Sequence, residues 1–240
     1  MKKHLYFLPF LLALFCIVTL PSCHIGCIKG SGKEVNDNRI LGSFTKLEIS
    51  GAFKINLKQD SGHALTVTAD DNLMKYIKTE VSGNKLRVYT RKNFCNDNAI
   101  TLNIPISQLS EVKGSGAVQL TSEGRINTQN FKMELSGVSK VDMDLSAADV
   151  ETKASGAVEI FLKGQAASHK VEVAGVGKLH AYNFVAGNYN IKTSGSSNCE
   201  INVLKTLIVN TSGAADIKYK GNPSSIDSKK AGASKITKVQ

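Results

Sequence analysis

Ser115-Gly116-Ala117-Val118-Gln119-Leu120 is followed along the chain by Ser136-Gly137-Val138-Ser139-Lys140-Val141 and then by Ser155-Gly156-Ala157-Val158-Glu159-Ile160. The unit returns at Ala174, Ser194, Ser212 and Ala231, so its glycines are Gly116, Gly137, Gly156, Gly175, Gly195, Gly213 and Gly232. Their spacings are 21, 19, 19, 20, 18 and 19 residues. A recurrence near twenty residues marks a stacked repeat, in which each unit buries its apolar face against its neighbours. Such a stack offers a rod and long surfaces rather than a ready-made catalytic cleft.

Four residues after each glycine come Leu120, Val141, Ile160, Leu179, Cys199, Ile217 and Ile236. Two residues after it come Val118, Ser139, Val158, Gly177, Ser197, Ala215 and Ser234. Side chains alternate along a strand, so these two sets share one face, expected to be inward. Met133, Val171, Ile191 and Val209, four residues before their glycines, form a second apolar ladder. Glycine permits positive φ at a corner, and a serine hydroxyl can bond the backbone there. A catalytic role for these serines would need a base recurring beside them, and none does.

Three residues after each glycine lies an outward set: Gln119, Lys140, Glu159, Lys178, Asn198, Asp216 and Lys235. If one unit makes one level of the stack, neighbours stand about 4.8 Å apart. No two adjacent members then carry the same charge, which favours stacking, though each exposed pair contributes only ~0–1 kcal/mol. The alternation Ala117-Val118, Val138-Ser139, Ala157-Val158 also suggests a level two units long. That would set Lys140 on Lys178, so the single period is expected.

Residues 39–113 are less regular than the Ser-Gly repeats of 114–240. Leu47 and Ile49, Phe53, Ile55 and Leu57, Leu65 and Val67, Leu86 and Val88, and Ile100, Leu102 and Ile104 keep a period of two, the mark of half-buried strands. Turns are expected at Asp60-Ser61-Gly62 and Ser82-Gly83-Asn84, and Pro105 at a strand end. A short helix is expected through Leu73, Met74 and Ile77, with Asp71 as its N-cap.

The first residues read as an export signal, 1–22: Lys2 and Lys3, then an apolar run from Leu5 to Leu20 broken by Pro9. Leu20-Pro21-Ser22-Cys23 resembles a bacterial lipobox, which makes Cys23 the expected lipidation site. The protein would then be anchored to a membrane, by default the outer membrane, rather than spanning it. Residues 23–38, with Gly26, Gly30, Ser31 and Gly32, read as a flexible tether, and 39–240 as one domain. Of the remaining cysteines, Cys27 and Cys95 are the expected disulfide in such a compartment. Cys199, on the inward ladder, is expected as a buried thiol.

The formal net charge is +10, Lys2 and Lys3 included. A positive exterior favours anionic partners such as glycans or lipid head groups, while lysines on exposed strands also serve simply to block edge pairing. Nucleic acid is not an expected partner, because no basic run is interleaved with stacking aromatics. Lys29-Gly30-Ser31-Gly32-Lys33 fails as a phosphate loop, since Cys27 stands where the first glycine is required. Paired-carboxylate cleavage needs groups roughly 5–9.5 Å apart, whereas Glu159 and Asp216 are three levels apart. Asp142, Asp144 and Asp149, Asp70-Asp71-Asn72 and Asn96-Asp97-Asn98 lack the oxygen spacing of a calcium loop and read as caps and turns. His24, His63, His169 and His180 are scattered. No catalytic, cofactor or metal-binding residue is assigned.

Arg39, Phe44, Ile49-Ser50-Gly51, Phe53, Leu57, Ala69-Asp70-Asp71-Asn72-Leu73, Thr79-Glu80-Val81, Leu86, Pro105 and Gly114-Ser115-Gly116, with the later Ser-Gly copies, resemble the auto-transporter adhesin head GIN domain family. The resemblance runs from about Arg39 to the end. It implies an all-β, right-handed parallel β-helix or β-solenoid on a bacterial envelope lipoprotein, and a binding or adhesin-like role without catalytic residues. A structural lipoprotein contacting other envelope proteins is the alternative, and a carbohydrate-active β-helix enzyme a third. The final strands still carry inward apolar residues, so the C-terminal end is expected to dock on an envelope protein or a second copy.

Overall fold

Strand pairing is set by the glycine units. The computed structural model describes residues 26–95 and 98–240. The expected leader, the Cys23 lipidation site and Asn96-Asp97 lie outside the described residues. Strand β9 (Glu111–Asn127) lies parallel to the start of β10 (Asn130–Lys220), with Ser136 opposite Ser115 and Gly137 opposite Gly116. Strand β3 (Lys46–Gln59) pairs with β9 on its other side, with Ser50 opposite Ser115 and Gly51 opposite Gly116. The last pass of β10 is flanked in parallel by β11 (Ser225–Ala231) and β12 (Ser234–Lys238). Unit therefore stacks on unit at the single period, and we call each pass a rung.

The glycines explain why. Gly116 has φ +101°, and a Cβ there would sit 2.5 Å from the Gly51 carbonyl oxygen. The same approach links Gly137 to Gly116, Gly156 to Gly137, Gly175 to Gly156, Gly195 to Gly175, Gly213 to Gly195 and Gly232 to Gly213. Backbones can run this close at a corner only without a side chain. Ser50-Gly51-Ala52-Phe53-Lys54-Ile55 is thus a first copy of the unit, cut off from the others by the whole of the intervening strands.

The inward ladder is as expected. Leu120, Val141, Ile160, Leu179, Cys199 and Ile217 are buried, as are Met133, Val171, Ile191 and Val209. At the corners from Gly116 to Gly175, the residues two before and two after the glycine face one another and share a volume. Gly114 meets Val118, Leu135 meets Ser139, Ala154 meets Val158 and Val173 meets Gly177, all buried. On these four rungs the two arms take turns in supplying one large side chain, whereas the Gly51 rung buries both Ile49 and Phe53 and the Gly195 and Gly213 rungs pair Thr193 with Ser197 and Thr211 with Ala215. A Cβ on Gly177 would collide with Val173 Cγ1. Gly177→Ala should therefore destabilise by about 1–3 kcal/mol through overpacking. Adding Val173→Ala should recover most of that loss in urea melts, and purely additive losses would refute the shared volume.

The N-terminal half closes one end of the stack. Strands β6 (Lys85–Thr90) and β8 (Thr101–Ile106) lie parallel to the two arms of β3. Antiparallel strands then cover them: β5 (Ile77–Ser82) on β6, β4 (Ala64–Asp70) on β8, and β2 (Glu34–Ile40) on β4. The short strand β1 (Ile28–Lys29) pairs with β7 (Phe94–Cys95) beside a Cys27–Cys95 disulfide whose Cα atoms are 5.5 Å apart.

Two expectations need correction here. From Cys27 onward the expected tether is folded into the domain by that disulfide, by β1 and by β2. The helix after Asp71 is only a 3-10 turn, Met74–Tyr76, with Leu73 in the cap position and no side-chain cap. The polar side chains meant for capping are taken by the N-terminal segment. Asp71 accepts from Ser31 Oγ at 2.7 Å, Asn72 Nδ2 donates to the Lys29 carbonyl at 2.8 Å, and buried Asp70 accepts from Gly32 N at 3.1 Å. Ile77 then enters β5. Among the described residues no helix is long and apolar enough to cross a membrane.

Candidate binding surface

Side chains three and five residues before each glycine point outward and form a checkerboard. The inner column reads Glu48, Lys113, Glu134, Lys153, Glu172, Lys192, and the outer column Lys46, Glu111, Lys132, Glu151, Lys170, Asn190. Charge alternates along both columns and across each rung as far as Lys170 and Glu172; Lys192 continues the inner column and Asn190 ends the outer one. Lys46 reaches Glu111 at 3.2 Å, Lys113 reaches Glu111 at 3.2 Å and Glu134 at 3.0 Å, and Lys132 reaches Glu134 at 2.5 Å. Lys170 bridges Glu151 at 3.3 Å and Glu172 at 2.9 Å. Hydrogen bonds from Lys132 and Lys113 hold the Glu134 carboxyl down at about 2. A groove of about 730 Å³ runs beside this face, lined by Ser115, Ser136 and Ser155 among others. Ser115 Oγ donates to the Ile49 carbonyl at 3.3 Å and Ser136 Oγ to the Gly114 carbonyl at 3.5 Å, so these serines serve the corner.

Across the corner the surface is different. Residues directly after the glycines form an apolar strip: Ala52, Ala117, Val138, Ala157 and Val176. Val138 is 64% and Val176 56% exposed, large values for valines on an ordered strand. The strip floors a groove of about 620 Å³, bounded by Lys54, Lys140 and Lys178 and, at one end, by Ala99 and Ile100. Lys140 pairs with Glu159 at 3.8 Å and lies over the Phe161 ring at 5.4 Å. Lys54 and Lys178 have no ion-pair partner among the described residues. Asp216, expected to face Lys235, is in register with it but makes its ion pair with Lys218 at 3.6 Å.

Further out, His180 stacks on Phe161 at 4.6 Å, with Nδ1 2.9 Å from Glu200 and Nε2 3.6 Å from Glu159. In the interior, buried His169 has Nε2 3.0 Å from Thr152 Oγ1 and rests against Phe184 and Tyr189. Burial drives its pKa down to about 3 and lifts that of the Cys199 thiol to about 12. Cys199 is the expected buried thiol.

These shifts set an acid sensitivity. The unfolded His169 takes a proton near 6.5 that the folded one refuses, so stability should fall as pH drops from about 6.5 toward 3. Glu134, depressed to about 2, adds a second loss from about 4.5 downward. Urea melts against pH should show His169→Phe flattening the upper window and Glu134→Gln the lower one. Unchanged slopes in both variants would contradict the assignment.

Asp142, Asp144 and Asp149 do not converge. Asp144 accepts from Arg125 Nε at 2.8 Å and Asp149 accepts from Ser168 Oγ. Among the described residues no group of three or more His, Cys, Asp or Glu is placed to hold a metal ion. Sequence reasoning missed the checkerboard and the strip. The signal was available at every odd offset from the glycines, of which only the third position after was followed.

A family model described as "Putative auto-transporter adhesin, head GIN domain" matches residues 43–223. The chain belongs to this family. The solved structures similar to this head GIN chain include a putative adhesin from Bacteroides fragilis NCTC 9343, at 23% identity and TM-score 0.84, covering 88% of this chain and 100% of that one. A putative adhesin from Parabacteroides merdae ATCC 43184 has 18% identity and TM-score 0.69, covering 89% and 99%. A structure described as a putative lipid binding protein from Parabacteroides distasonis ATCC 8503 has 19% identity and TM-score 0.70, covering 89% and 99%. Such identities speak for the head GIN fold alone. No curated protein matches the chain.

Proposed function

We propose that this protein is a non-enzymatic, adhesin-like binding lipoprotein of the cell envelope, and that its Ser-Gly stack is a right-handed parallel β-helix. The carrying observation is the apolar strip. On the neighbouring face most charges are paired, within a rung or between rungs, whereas Val138 and Val176 stand exposed beside a column in which Lys54 and Lys178 have no ion-pair partner among the described residues. Contiguous exposed apolar surface rimmed by polar groups marks an interaction site. The family and two of these similar structures are named as adhesins and the third as a lipid binding protein, and Glu159 and Asp216 sit on different rungs. The Cys27–Cys95 disulfide agrees with an oxidising compartment outside the cytoplasm.

Anchoring through Cys23 to the outer membrane completes this reading. Cys23→Ser should release the protein to a soluble fraction, and a variant that stays with membranes through a carbonate wash would refute it. The released mature protein serves the binding test. It should adsorb to isolated outer envelopes or to an anionic glycan panel, and Val138→Asp with Val176→Asp should cut that adsorption at least tenfold. Undiminished adsorption would remove the strip from the proposal.

A second reading, an assembly lipoprotein contacting another envelope protein or a second copy through its C-terminal end, is favoured by one observation. The outer edges of β11 and β12 have no strand partner among the described residues, and unpaired edges invite pairing.

A further inference from the structure

We infer that the strip of Ala52, Ala117, Val138, Ala157 and Val176 seats one extended acyl chain of an anionic amphiphile, with its head group held at Lys178. This rests on the strip being the binding surface proposed above. Five rungs at the spacing of a parallel sheet give a strip about 19 Å long. The acyl chain of one bilayer leaflet spans about 15 Å. The strip is one residue wide, since the inward Phe53, Val118 and Val158 lie beneath it and the lysine column beside it. A single chain fits that width. A flat protein interface would need apolar surface on several columns.

The two ends differ. At the β3 end the groove runs onto Ala99 and Ile100, beside Asn98, and these two apolar side chains suit a methyl terminus. At the other end the rung after Val176 carries Ser196 in the strip column and Asn198 beside it, so apolar surface gives way to hydrogen-bonding groups beside Lys178. Of the bordering cations, Lys140 is already engaged with Glu159 and the Phe161 ring. Glu159, the one carboxylate on the border among the described residues, is engaged in turn by Lys140 and His180. Among the described residues the free charge left for a ligand at the Ser196 end is positive and lies in Lys178. Lys54, at the apolar end, would meet only hydrocarbon.

The test uses the mature Cys23→Ser protein and palmitate below its micelle concentration, followed by calorimetric titration. Palmitate should bind, and affinity should climb from octanoate to palmitate by about twofold per methylene, half the roughly fourfold of full burial. Val138→Asp with Val176→Asp should weaken palmitate at least tenfold. Lys178→Ala should weaken it several-fold, and by more than Lys54→Ala at the other end, and hexadecyltrimethylammonium should bind more weakly than palmitate. Equal affinity for the two amphiphiles, or insensitivity to the valine changes, overturns the inference. If palmitate fails to bind while the valine variant still loses adsorption to envelopes or glycans, the strip remains the binding surface and its ligand is not a lipid. If the valine variant instead shifts the molecular mass measured by light scattering, the strip is an interface between copies and the inference falls.

Discussion

Gly116→Ala should cost about 3–5 kcal/mol, a large loss for one added methyl group. Two effects combine. A φ of +101° is a conformation that alanine adopts only with strain, about 1–3 kcal/mol. The new Cβ would also lie 2.5 Å from the Gly51 carbonyl oxygen, where the obstacle is backbone and cannot rotate away. The rungs of β3 and β9 would have to separate and stretch their ladder. Gly124 is the internal control, with φ +79° and nothing within 4 Å of a built Cβ. Gly124→Ala should cost only the conformational part, about 1–2 kcal/mol. Urea melts of the two variants decide the matter, and equal losses would show that the close approach of rungs contributes nothing.

Ile160→Asp should cost a comparable 3–5 kcal/mol or so, for an electrostatic reason. Ile160 is 3% exposed in the middle of the inward ladder. A carboxylate there has no cation to meet and must be ionised in an apolar stack or take up a proton. Its folded pKa would rise above the unfolded value, so the damage should shrink as pH falls through that folded pKa toward about 4. Lys178→Ala, on the outward column, should cost under about 1 kcal/mol. Equal destabilisation by the two would reject the inward and outward assignment.

Much of the stack was legible because its period is short and its chemistry repeats. The ladder from Leu120 to Ile217 follows from counting four residues past each glycine, and every member is buried. The family resemblance followed from the same motifs together with those of the first half. The Gly51 rung was harder to recognise as a repeat, since the strands from β4 to β8 separate it from the next copy and hide the period. The 3-10 turn at Met74 was misjudged for a non-local reason. The side chains of Asp70, Asp71 and Asn72 are consumed by residues near Ser31, a pairing across some forty positions that local capping rules do not see. The strip escaped notice because Val138 and Val176, on strands rich in β-branched residues, look like core until the corner geometry turns them outward.

The checkerboard carries a rule of parity. From Gly116 to Gly175 the backbone repeats with every rung, but the charges repeat only with every second one, and so do the large residues at the corner, supplied in turn by Val118, Leu135, Val158 and Val173. Duplicating a single unit in the gene would set lysine on lysine and glutamate on glutamate across the new seam and leave the corner there doubly filled or hollow. Duplicating two would pass unnoticed by every neighbour. Within that stretch the stack can grow or shorten smoothly only in even steps, so there its heritable unit of length is twice its structural one.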